Sequence, residues 1–198
     1  MENPLENLKK YSVVLASGSP RRRELLAMMG VEFDVRSVDV DETYPEHLAP
    51  EDVAPYLSEL KARHYRDNLM QSGQLVITAD TVVIAQGRVL GKPVSKEDAV
   101  KMLRMLSGST HQVVTGVSVC ADLREISTIS VSTQVTFASL TDSEIDYYVE
   151  RYRPMDKAGA YGIQEWIGCI GISSIQGSFY NVMGLPTHRL YQLLAQKV

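Results

Sequence analysis

The chain has 198 residues, 44% hydrophobic and 22% charged, the composition of an ordinary globular domain with one sizeable core. A formal charge of -4 and a pI of about 5.6 exclude a general attraction to nucleic acid or to an anionic membrane surface, so any cluster of cations must act locally. No apolar stretch approaches the ~20 residues of a spanning helix and MENPLENLKK lacks a signal-peptide core, so the reading is of a cytoplasmic protein with one domain over residues 1–198.

Val13 to Ala16 predicts a short strand, Pro20 to about Met29 a helix, and Phe33 to Val38 a second strand. Val53, Leu57, Leu60 and His64 carry helical spacing over Pro50 to about Asn68, with Pro55 tolerated near the first turn. LVITAD followed by TVVIAQGRVLGKP predicts a strand, a break at the Asp80 carboxylate, and a hairpin around Gln86 and Gly87. Capping boxes at Ser95 with Asp98 and at Thr141 with Glu144 open two further helices, the first running to about Leu106. Between them HQVVTGVSVCA and ISTISVSTQVTFASL alternate. One face carries Val113, Thr115, Val117 and Val119, the other Val131, Thr133, Val135 and Phe137, which predicts an antiparallel pair across ADLRE. WIGCIGISSI and SFYNVM read as short strands around Gln176 and Gly177, and Pro186 opens a final helix. The sum is a mixed β-sheet with flanking helices, α/β with α+β as the alternative. Cys120 and Cys169 lie in apolar strand-like runs and are expected to be reduced and buried.

The chemistry concentrates in few places. In LASGSPRRRE, Ser19 as cap and Pro20 in first position leave the free N–H groups of a helix facing the loop, with Arg21 and Arg22 beside them. That arrangement suits phosphate oxygens, and the alternative is a capped helix with solvated arginines, as Arg23 is expected to be. Lys61, Lys92 and Lys157 are further cations, and Lys92-Pro93 has a restrained backbone. Asp80, between ITA and TVVI, needs a partner or a task to offset desolvation, the alternative being a strand-end Asp capping a turn. Glu42 in VDVDETYP is a second acid. His47, His64, His111 and His188 show no metal-ligand spacing, and no nucleophile elbow or Walker loop occurs. Trp166, Tyr147, Tyr148 and Tyr161 read as core or rim, Tyr161 being the candidate exception for stacking on a base.

SGSPRRRELL, TADTVV with GKP, LSGSTHQVVTGV, DKAGAYGIQ and GSFYNVMGLP, in this order, resemble the Maf family of nucleoside triphosphate pyrophosphatases, over about Val13 to Leu194. The resemblance implies two lobes around a cleft, similar to inosine triphosphate pyrophosphatases, and a metal-dependent cut between the α and β phosphates. It implies Asp80 as proton acceptor and Arg21, Thr81 and Gln164 as specificity positions, and DKAGAYGIQ resembles the subgroup acting on dTTP and UTP. Ser17, Ser19, Arg21, Arg22, Lys61, Thr81, Lys92, Lys157 and Gln164 are then the expected substrate-binding set. Asp80 and Glu42 are the expected ligands of Mg²⁺ or Mn²⁺, which suit oxygen donors. Thr78 departs from the small Gly or Ser usual at its position. A homodimer is implied by the family alone. Two rivals stand: a nucleotide-binding regulator of septum formation without turnover, and a nucleic-acid binder, which the acidic pI weakens.

Overall fold

The computed structural model describes residues 4–197, so the ends of the expected 1–198 domain lie outside it. After a 3-10 turn at Glu6–Lys10 come β1 (Ser12–Leu15), α1 (Pro20–Met28), β2 (Asp34–Val35) and α2 (Pro50–Asn68). β3 (Gln74–Ala85), β4 (Arg88–Leu90), α3 (Lys96–Leu106), β5 (Thr110–Ala121), β6 (Ser127–Phe137) and α4 (Asp142–Tyr152) follow. A 3-10 turn at Ala158–Ala160 precedes α5 (Trp166–Gly171), β7 (Ile172–Gln176), α6 (Phe179–Met183) and α7 (Thr187–Lys197). The strands form one seven-stranded mixed sheet in the order β2-β1-β3-β5-β6-β7, with β4 paired to β3. This is the mixed α/β architecture anticipated from the alternation of elements. Among the described residues no helix is long and apolar enough to cross a membrane.

The chain divides into two compact units, Met1–Asp80 with Thr115–Val131 and Gly184–Val198, and Thr81–Val114 with Ser132–Met183. In the first, β1 pairs in parallel with β2 and with β3, in the register Ser12↔Gln74 to Leu15↔Ile77. Parallel strands are covered on both faces, and Val13 to Ala16 and Leu75 to Ile77 are accordingly buried without alternation, as are Leu25 and Leu26 of α1 and Leu57 of α2, while Tyr65 of α2 clusters with Val14, Ala16 and Val76. In the second unit β3 turns into β4 through Gln86 (φ 51°) and Gly87 (φ 72°), a pair of left-handed residues that matches the twist of a two-residue hairpin. Leu103, Leu106, Phe137, Ile145, Tyr148 and Ile167 are its largest fully buried side chains. The connection from β5 to β6 is too short for a crossover, so these neighbours are antiparallel, and Thr133, Val135 and Phe137 alternate inward as expected.

Several local expectations are corrected. β3 does not break at Asp80; it runs as one strand, because the carboxylate finds an ion-pair partner and no longer forces the backbone to open. WIGCIG is helical, its first turn closed by the Glu165 carbonyl accepting from the N–H groups of Gly168 (2.9 Å) and Cys169 (3.3 Å). Only Ile172–Gln176 pairs as a strand. SFYNVM is also helical: Ser178 accepts the Asn181 N–H on Oγ and the Val182 N–H on its carbonyl, and buried Asn181 donates to the Val113 carbonyl and to Thr133 Oγ1. Tertiary hydrogen bonds here override β propensity. The strand at Phe33 to Val38 shrinks to Asp34–Val35. Thr141 and Glu144 form the full reciprocal capping box, whereas Asp98 reaches the Val94 N–H instead of that of Ser95. Both cysteines are free thiols, but Cys169 is exposed on α5.

Candidate active site

In the first unit, Ser19 caps α1 with extended backbone (φ -71°, ψ 119°), accepting the Arg22 N–H on Oγ at 3.5 Å, with Pro20 in the first turn. Ser17 Oγ accepts the Ser19 N–H at 3.3 Å, which closes the loop on itself. The Arg22 guanidinium ties three segments together. Its Nε donates to the Gly184 carbonyl at 2.8 Å, and its Nη1 donates to the Ala79 carbonyl at 2.8 Å and to Ser17 Oγ at 3.2 Å. Burial pulls this guanidinium below its ordinary pKa, and the charge of Asp80 opposes the pull. Arg21 is partly exposed and Arg23 exposed.

Asp80 follows Ala79 directly, and its position relative to α2 is set by a row of hydroxyl contacts. Gly116 of β5 has no room for a side chain: a Cβ there would lie 2.3 Å from Pro55 Cα and 2.4 Å from Pro55 N, so α2 packs on the bare strand backbone. Pro55 inside α2 offers no N–H, and Ser58 Oγ meets both the Pro55 carbonyl and Ser118 Oγ at 2.9 Å. Thr78 Oγ1 donates to the Ser58 carbonyl at 2.7 Å, which gives the unusual threonine a structural task. Thr78 and Asp80 share one face of β3, and Ser58 and Lys61 lie three apart along α2, so the same packing brings Lys61 to Asp80. Lys61 Nζ, on a residue only 8% exposed, lies 2.5 Å from Asp80 Oδ1 and 2.8 Å from Glu42 Oε1. One ammonium between two carboxylates leaves the cluster with a net negative charge.

In the second unit, Thr81 opens the remaining half of β3 and is partly buried. Lys92 is exposed beyond β4, and the preceding Gly91 carbonyl accepts the Gly159 N–H at 3.0 Å, which brings the Lys92 and Lys157 segments side by side. Lys157, 8% exposed, has its Nζ 2.7 Å from Asp156 Oδ1 and 3.1 Å from Glu165 Oε1, a second lysine between two carboxylates. Gln164, next to Glu165 in the chain, is exposed. Tyr161 is not a stacking platform: it is buried at 5% exposure, edge-on to Phe137 and bonded through its hydroxyl to His111 Nε2 at 2.7 Å. Desolvation lowers the His111 pKa to about 4, so the ring is neutral near pH 7.

The structure brings Asp80, Glu42 and Lys61, each named singly from the sequence, to one place, and it buries Tyr148, which was read as core or rim. Sequence reading did not single out Asp156 or Glu165 as partners of Lys157, although Asp156 next to Lys157 and Glu165 next to Gln164 were the available signal. Among the described residues no group of three or more His, Cys, Asp or Glu is gathered as a metal-ligand set. Glu42 and Asp80 nevertheless converge on one cationic atom through hard oxygen donors. That is the donor set Mg²⁺ uses when it takes one or two carboxylates and completes its shell from substrate phosphates and water, so these residues fit such an ion.

A family model described as Maf-like protein matches residues 12–197. A Porphyromonas gingivalis protein named dTTP/UTP pyrophosphatase is 58% identical over 96% of this chain and 96% of its own. Proteins of the same name from Bacteroides thetaiotaomicron and Flavobacterium johnsoniae are 54% and 44% identical, over 94% and 98% of this chain and 96% and 98% of theirs. Among solved structures, a HAM1 protein from Coxiella burnetii shares the fold with a TM-score of 0.53 at 14% identity, over 94% of this chain and 99% of its own. The family model spans the chain from the start of β1 to the end of α7, and the chain belongs to the Maf family.

Proposed function

We propose that residues 1–198 act as one nucleoside triphosphate pyrophosphatase domain that hydrolyses dTTP and UTP to the nucleoside monophosphate and pyrophosphate. The observation that carries the reading is the Glu42–Lys61–Asp80 cluster beside the arginine loop, in a chain whose relatives bear that enzyme's name. Asp80 accepts a proton from the attacking water, whose oxygen bonds to the α phosphorus while the bond from that phosphorus to the α–β bridging oxygen breaks, so that pyrophosphate leaves. Lys61 fixes the Asp80 carboxylate, and Arg21, with the capped end of α1 and the Ser17 and Ser19 hydroxyls, meets the phosphates. Arg22 contributes its charge from a fixed place while it holds the loop. Lys92 and Lys157 act on the phosphates, and Thr81 and Gln164 on substrate choice.

The charge balance argues for a divalent cation. A triphosphate carries about four negative charges near neutral pH, while Lys61 and Lys157 are each already outweighed by two carboxylates. Glu42 and Asp80 would hold Mg²⁺ or Mn²⁺, which when bound supplies phosphate charge neutralisation and polarisation of the α phosphoryl group. The non-catalytic regulator is not adopted, because the relatives are named as enzymes. The reading places the protein in the cytoplasm and extends to a homodimer on family resemblance alone. The test is pyrophosphate release from the common nucleoside triphosphates with Mg²⁺, Mn²⁺ or EDTA: release from dTTP and UTP that EDTA abolishes is expected, and no release from any of them refutes the reading.

A further inference from the structure

Tyr148 of α4 is fully buried in the second unit, and its hydroxyl joins two parts of the segment that carries Lys157 and Gln164. It accepts the Gly162 N–H at 3.0 Å and donates to Glu165 Oε2, while Glu165 Oε1 takes the Lys157 ammonium at 3.1 Å. The run of donors and acceptors goes one way, from the Gly162 N–H to the phenol to the carboxylate. Burial first, and the Glu165 carboxylate after it, push the phenol pKa up, so the hydroxyl keeps the proton it donates. Packing reports the same link independently: a Cβ at Gly162 would lie 2.9 Å from Glu165 Cδ and 3.1 Å from Lys157 Cε, so the two side chains lie across bare backbone. Upstream the segment is pinned again by the Tyr161 hydroxyl on His111. Gln164 is therefore an exposed residue between buried Ile163 and anchored Glu165.

We propose that Tyr148 and Glu165 are positioning residues, which hold the Lys157 ammonium and the Gln164 amide in place for the nucleotide. The inference rests on the reading that Lys157 and Gln164 meet the substrate. Neither Tyr148 nor Glu165 touches the reacting atoms; they act through their neighbours, so losing them should change the use of the correct base more than the use of the wrong one. Preset polar groups discriminate by leaving a mismatched base unpaired, and that discrimination fades when the groups move.

Tyr148→Phe, Glu165→Gln and Glu165→Ala test this in the full chain by two readouts. The first is the rate at which Lys157 is acylated by an amine reagent without nucleotide, followed by mass spectrometry. The second is kcat and KM for dTTP and dCTP. Acylation is expected to rise about tenfold in Tyr148→Phe and Glu165→Ala and less in Glu165→Gln, which keeps an acceptor for the ammonium. The dTTP-to-dCTP ratio of kcat/KM should fall about tenfold in the same order, with Glu165→Gln partly rescued. Parent-level acylation in all three variants overturns the inference whatever the activity. Raised acylation with parent-level kcat/KM for dTTP overturns it too, since Lys157 would then be loosened without consequence. If the parent releases no pyrophosphate from any triphosphate, the functional reading fails separately. The variants are then read by dTTP affinity, which positioning lowers about tenfold and a purely structural link leaves at the parent value.

Discussion

Arg22→Ala is the sharpest probe of how the phosphate loop is built. The substitution deletes three hydrogen bonds from a charged donor, to the Gly184 carbonyl, the Ala79 carbonyl and Ser17 Oγ. Bonds to charged groups contribute about 1.5 to 3 kcal/mol each, but such terms do not simply add, and the desolvation of the buried guanidinium offsets part of them. A net loss of about 2 to 4 kcal/mol is expected, which for a domain of this size lowers Tm by about 5 to 15 °C. Arg22→Lys should recover less than half of it, because one ammonium cannot reproduce a fork that reaches three acceptors. Arg21→Ala should leave Tm within about 2 °C and lower dTTP kcat/KM by about 10- to 100-fold, the loss of one charge-assisted phosphate contact. Thermal denaturation and pyrophosphate release, run on the same preparations, separate the two roles. If Arg22→Ala keeps the parent Tm and loses activity as Arg21→Ala does, Arg22 is a phosphate ligand and the loop-holding argument is wrong.

Three further outcomes follow from other parts of the molecule. Gly116→Ala forces a methyl group onto the Pro55 backbone, so it should cost at least about 1 to 3 kcal/mol in stability and lower turnover by moving Lys61 from Asp80; parent-like Tm and kcat would refute the close packing. His111 has a folded pKa of about 4 against 6.5 unfolded, so the unfolded chain binds more protons between these values: its contribution is complete above pH 6.5 and is lost as pH falls toward 4. The difference amounts to about 3 kcal/mol, and His111→Gln should show a flatter fall of Tm with acid over that window than the parent does. Gln164 can meet the N3–H and a carbonyl of uracil or thymine together, so dCTP and CTP should be poorer substrates by about tenfold or more; Gln164→Glu, having lost the amide donor, should erode that preference in kcat/KM.

The sequence was most legible where one local rule decided the outcome. The alternation in β6, the reciprocal box at Thr141 and Glu144, and the Gln86-Gly87 turn are each read within a few residues and stand as expected. The helices at Trp166–Gly171 and Phe179–Met183 were misread because their composition favours strands; the first is closed locally on the Glu165 carbonyl, while the Asn181 bonds of the second reach Thr133 and Val113 far along the chain. The same division holds for the site. Asp80 stands out as an acid inside an apolar run, and its partner Lys61 was found as a cation without its connection being visible. That connection depends on Gly116, Pro55, Ser58 and Thr78 meeting across two elements, which no periodicity encodes. The pairing of Lys61 with Glu42 and Asp80, and of Lys157 with Glu165, appears only in three dimensions, whereas Asp156 beside Lys157 was legible in the sequence.

The central claim, that Asp80 accepts the proton in triphosphate cleavage, is tested most directly by pyrophosphate release from dTTP in Asp80→Asn beside the parent, both with saturating Mg²⁺. The change is nearly isosteric, and the amide oxygen can still accept the Lys61 ammonium. The account predicts a folded protein that binds dTTP with turnover lowered by about 10² to 10⁴, the span of a lost general base. Turnover near the parent value in a folded Asp80→Asn protein would contradict it.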